Sequence, residues 1–128
     1  MVIDNTRLQE FIGKAVNEWG AAEGALITFI GDRLGLFKAM AGAGELTPEE
    51  LAKKTNTNER YIREWLANQV AGGYVIYNSS DGKYTLPPEQ AMALADDNSP
   101  VYIHGAYQAI RSYFKDEDKF VEMFKTGK

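Results

Sequence analysis

The chain contains no cysteine. Disulfides, zinc–thiolate sites and thiol nucleophiles are therefore outside its chemistry. It has a single histidine, His104. One imidazole does not make a metal cluster, and with no serine nucleophile or carboxylate adjoining it there is no hydrolytic triad to read. Basic charge is scarce as well: 14 Lys and Arg against 18 Asp and Glu leave a net charge of −4. Phosphate-binding surfaces usually leave a basic imprint, so nucleic acid is a disfavoured partner. Long apolar runs are missing too. The longest, around Ala21–Ile30, is broken by Glu23 and followed by Asp32 and Arg33, so no bilayer-spanning segment is expected. No basic segment leads into an apolar run after Met1, which argues against a signal peptide and makes cytoplasmic residence the default expectation.

What is present is ordinary globular material. Of 128 residues, 45% are apolar and 25% charged, enough for one domain with a real core. Leu8, Phe11, Ile12, Ala15, Val16 and Trp19 recur at three- and four-residue spacing and predict a first helix from Thr6 to about Trp19, closed by Gly20. A second, longer helix is expected from Ala21 to Ala41, with Leu26, Phe29, Ile30, Leu34, Phe37 and Met40 on one face. Ala22, Ala25, Ile27, Leu36 and Ala39 widen that face, so burial on more than one side is expected. Gly24, Gly31 and Gly35 weaken this helix and imply close approach of another element, either inside the domain or from a second subunit.

Thr47-Pro48-Glu49-Glu50 is a strong helix start: a capping threonine, proline at the first position and a glutamate three residues after the cap. That helix is expected to run to Lys54. After the polar turn Thr55–Asn58, a helix to Ala71 presents Tyr61, Ile62, Trp65, Leu66 and Val70. Strands are predicted at Tyr74–Tyr77 and Lys83–Leu86, joined by a turn whose Asp81-Gly82 pair suits a hairpin. Further helices are expected at Glu89–Ala95, Val101–Phe114 and Asp116–Lys125. Helix, capped short helix, four-residue turn, longer helix and hairpin, in that order, define a mainly α fold: a winged helix-turn-helix with one β-hairpin wing and extra helices at both ends. Residues 1–128 read as one domain with its core at about 21–95.

Gly31-Asp32-Arg33-Leu34-Gly35-Leu36-Phe37 followed by Leu46-Thr47-Pro48-Glu49-Glu50-Leu51-Ala52 resembles the amino-terminal winged-helix domain of class I S-adenosylmethionine-dependent methyltransferases. Asn58–Leu66, Tyr84–Glu89 and Asp96–Pro100 carry the same likeness, which extends from about Ala21 to Gln108. The resemblance implies a domain that pairs two subunits and forms part of a lid over the acceptor pocket. It also implies a following Rossmann-like domain that holds S-adenosylmethionine. That catalytic domain is expected to be absent from this chain, since the sequence ends at Lys128 where it should begin. Of a fragment, a truncated gene or a likeness to the domain alone, a fragment is favoured, because Phe124–Lys128 reads as a helix end running into a connection.

Cofactor binding would need a glycine-rich turn between strand and helix. The Gly-x-Gly here, Gly42-Ala43-Gly44, follows a helix with no parallel strand before it, so a helix cap is the better reading and no donor site is expected. Asp116-Glu117-Asp118 opens a helix and is explained by its dipole; Asp96-Asp97 reads as a solvated loop. From Glu45 to Leu86, five basic residues face six acidic ones, a balance of −1, and Glu59 and Glu64 neutralise Arg60 and Arg63 on the would-be recognition helix. The expected partners are a second copy, as a homodimer, and a small-molecule acceptor in the parent enzyme. Phe29, Arg33, Tyr102, His104 and Tyr107 are the candidate pocket residues, with His104 or Tyr107 able to polarise an acceptor and Arg33 needing an anion or carbonyl, Asp32 or Glu64 among them. A winged-helix DNA-binding regulator and a ligand-sensing module are the competing functions.

Overall fold

The computed structural model describes residues 1–128. It opens with one long helix, α1, from Asn5 to Arg33. The Asp4 carboxylate caps it, accepting from the backbone N–H of Thr6 at 3.0 Å and of Arg7 at 3.2 Å. This corrects the expectation of two separate helices divided at Gly20. Gly20 keeps a helical backbone, since nothing there demands another conformation, while Gly35 turns the chain at φ +70°. The short α2, Leu36–Met40, comes next and ends at Gly42 and Gly44, both with positive φ.

α3, Pro48–Thr55, carries the expected capping box: the Thr47 hydroxyl accepts from Glu50 N–H at 3.1 Å, and Glu50 accepts from Thr47 N–H at 2.8 Å. α4 runs from Glu59 to Ala71 behind an Asn58 cap. The hairpin strands are β1, Ile76–Asn78, and β2, Lys83–Thr85, antiparallel with Tyr77 opposite Tyr84. β1 starts later than expected because Tyr74 and Val75 donate to the Gln69 carbonyl and so prolong the end of α4. Leu46 adds a bridge on the other edge of β2: its N–H donates to Tyr84 O at 2.9 Å, and Tyr84 N–H returns a bond at 2.8 Å. α5 is Pro88–Leu94, α6 His104–Lys115 and α7 Glu117–Thr126. α6 begins three residues after the expected Val101 because residues 99–102 form a turn closed by Tyr102 N–H on Ser99 O.

The core gathers Leu36, Phe37 and Met40 of α2, Leu51 of α3, Ile62, Trp65 and Leu66 of α4, Val75 and Leu86 flanking the wing, and Leu94 of α5. α1 enters it with its last third alone, burying Thr28, Phe29 and Gly31. At 100° per residue, Leu8, Phe11, Ile12, Trp19, Leu26 and Ile30 share one side of α1, and all six are exposed. α7 buries nothing, and α6 buries only His104. The arrangement is thus a closed winged-helix body with α6 packed along α1, and with the amino-terminal part of α1 and α7 left outside the core.

Candidate functional site

The candidate residues of α6 and its approach come together where α6 meets the body. His104 is 3% exposed, and its Nε2–H donates to the Leu94 carbonyl at 2.8 Å. That bond fixes the tautomer and leaves Nδ1 as an unpartnered acceptor among aromatic rings. Phe37, Tyr102 and Tyr107 surround the imidazole at ring-centre distances of 5.4, 5.2 and 5.9 Å. Asp32 stands beside it: its Oδ1 is 3.7 Å from His104 Nε2 and accepts from the Tyr102 hydroxyl at 3.1 Å. Burial, and then the neighbouring Asp32 carboxylate, push the Tyr102 hydroxyl above the ordinary tyrosine range. Burial, and then its bond to the Tyr74 hydroxyl, push Tyr107 higher still. His104 is therefore committed to holding α6 on the body, with its one donor spent on a backbone carbonyl.

Phe29 and Tyr107 come together farther along, where α6 lies against α1. With Trp19, Leu26, Ile110 and Phe114 they line an apolar groove of about 390 Å³ between α1 and α6. The cation above this groove is Arg111, whose guanidinium carbon lies 6.0 Å from the centre of the Phe29 ring. Arg33 is not there. It is exposed and takes neither Asp32 nor Glu64 as a partner. Helical phase explains the difference: Arg33 falls on the solvent side with Leu26 and Ile30, while Asp32 turns toward α6. Sequence reasoning offered Asp32 only as a partner for Arg33 and missed Tyr74 and Arg111; their partners, Tyr102, Tyr107 and Phe29, lie in distant elements.

The helix-turn-helix surface offers little to phosphates. Glu59 pairs with Arg63 along α4, and Tyr61, 70% exposed, stands beside Arg60. No cluster of three or more potential metal ligands exists, and no helix is long and apolar enough to cross a membrane.

Body, wing and capped α3–α4 pair define a winged helix-turn-helix domain. The chain belongs to the Rv2258c-like winged HTH domain family, whose model matches residues 22–96. Curated protein sequences give no match. Among solved structures, the chain is similar to the mitomycin 7-O-methyltransferase MmcR, at a TM-score of 0.74 and 22% identity, covering 96% of this chain and 36% of that one. It is similar to an O-methyltransferase family protein from Burkholderia thailandensis, at a TM-score of 0.66 and 14% identity, covering 100% and 35%. CalO1, a methyltransferase in calicheamicin biosynthesis with SAH bound, gives a TM-score of 0.61 at 24% identity, covering 83% and 29%. The chain spans about a third of the length of these relatives. At such identities the likeness shows a shared fold.

Proposed function

We propose that this chain is the dimerising and substrate-capping domain of an S-adenosylmethionine-dependent methyltransferase and performs no catalysis by itself. One observation carries the reading: the apolar side of α1, from Leu8 through Phe11, Ile12 and Trp19 to Ile30, is left exposed although it runs the length of the helix. Monomeric proteins rarely leave so long an apolar stripe in water. A second copy covers it best, because α6 and α7 add exposed Tyr113, Phe114, Phe120 and Phe124, and Phe114 shares a groove with Trp19 of the stripe. A standard interface buries roughly 1,600 Å² in total, and helices of these lengths supply it.

The methyl donor belongs, in this reading, to a Rossmann-like domain outside this chain; Gly42 and Gly44 serve only to end α2. Phe29 and Tyr107 would form part of the wall that closes over a small-molecule acceptor, and the protein would act in the cytoplasm. The neutral α4 favours this over an operator-binding regulator: with Arg63 held by Glu59, few cations remain to displace counterions from DNA. Sedimentation equilibrium at micromolar concentration tests the reading. A dimer that Phe11→Asp converts to monomer supports it; a wild-type monomer refutes it.

A further inference from the structure

On the side of α1 opposite the exposed stripe, Asn17, Gly20, Gly24 and Thr28 face the C-terminal end of α4 across a cleft of about 590 Å³. Two features of this cleft have no use within the fold. The first is its glycine floor. A β-carbon built on Gly20 or Gly24 meets nothing within 4 Å, so neither glycine answers a close approach inside the chain, although each weakens the helix. The second is the side-chain oxygen of Gln69, a residue that lines the cleft at 2% exposure. Its Nε2–H groups donate to Thr28 Oγ1 at 3.2 Å and Asn68 Oδ1 at 3.4 Å, while its Oε1 has no partner at all. Buried acceptors are nearly always matched, because leaving one bare costs its full desolvation.

The rest of the lining specifies the ligand. None of the thirteen residues is charged, so an ion entering would lose water without gaining a counter-charge. Tyr74 and Tyr107 bring two hydroxyls to the rim that bond to each other and leave one hydrogen free for a third partner. The volume lies within the range of about 300–1,000 Å³ usual for small-molecule sites. We propose that this cleft binds an uncharged small molecule with a flat apolar body and an N–H or O–H donor, a phenol or aromatic amide. The flat body lies over Gly20 and Gly24, and the donor meets Gln69 Oε1, which is closed to solvent in this structure and is reached when the side-chain amide turns toward the cleft.

Amide NMR spectra of the full chain titrated with para-hydroxybenzamide test this. Saturable shifts are expected at the Gln69 side-chain amide, Asn68 and Gly24. The anion para-hydroxybenzoate should bind about tenfold weaker or worse, a gap of about 1.4 kcal/mol or more. Gly24→Leu has room in the fold and improves helix propensity, so it should keep or raise the melting temperature while abolishing the shifts. Gln69→Leu should weaken them. Absence of saturable shifts at Gln69, or shifts that survive Gly24→Leu, overturns the proposal. So does a Gly24→Leu chain that turns from dimer to monomer without any probe binding to the wild type, which would make the cleft a subunit contact. The dimer stripe lies on the opposite side of α1, so Phe11→Asp should alter sedimentation and leave probe binding intact. A monomeric wild type that still binds the probe would sink only the subunit reading.

Discussion

The indole of Trp65 lies so close over Gly31 that a β-carbon there would fall 2.4 Å from its Cζ2. The same indole donates Nε1–H to the Ile27 carbonyl of α1 at 3.0 Å and meets Phe37 edge-on at 5.0 Å. This contact, with the bond from Gln69 Nε2–H to Thr28 Oγ1 at 3.2 Å, anchors the last third of α1 to α4 and to the core, while residues nearer the amino terminus of the helix are exposed.

Glycine-to-alanine changes along α1 should therefore split by sign. Gly31→Ala gains helix propensity but displaces Trp65 and breaks its bond to Ile27, for a net loss of about 1–3 kcal/mol. Gly24→Ala has open space and should gain about 1 kcal/mol. Urea unfolding of both variants checks the contrast.

Asp32 joins α6 to the body by accepting from Tyr102 and standing beside His104. Asp32→Ala should cost about 1 kcal/mol and, more tellingly, raise hydrogen exchange in α6 while leaving α3 and α4 protected. Uniform exchange across all three helices would show that the tether does not act locally.

Alkaline pH should loosen the fold through Tyr102 and Tyr107, whose hydroxyls are both held above the ordinary value. An unfolded tyrosine begins to lose its proton near about pH 10, while these two still hold theirs in the native chain. The native state then binds more protons, so the stability they contribute is complete below that pH and is lost as pH rises toward their native values. Tyr107→Phe should flatten the decline in unfolding free energy measured between about pH 9 and 11. Ultraviolet titration of the native protein should show these hydroxyls ionising last.

Much of the body was legible because its signals are local. Thr47, Pro48 and Glu50 sit within one turn of each other, and Asp81-Gly82 marks its hairpin without help from elsewhere. The end of α1 was not legible. Gly20 and Gly35 look alike in sequence, and the difference lies in the segments they lead into: only Gly35 precedes one, Leu36–Met40, whose burial demands a turn with φ +70°. At the candidate site, Tyr102, His104 and Tyr107 could be grouped by their spacing in one segment. Arg33 was placed in that group for its charge on an apolar helix, but the phase of the helix puts it in solvent. Asp32 and Tyr74 join the site through bonds that span the fold, to Tyr102 and Tyr107, which no local pattern encodes.

The apolar arm of α1 is the centre of the functional account, and hydrogen exchange over residues 8–19 measures it most directly. In an isolated chain that segment is exposed along its length and should exchange like a fraying helix. If a second copy covers the stripe, protection there should rise with protein concentration and vanish in Phe11→Asp, while α4 is unaffected. Fast exchange over residues 8–19 at every concentration would contradict the account.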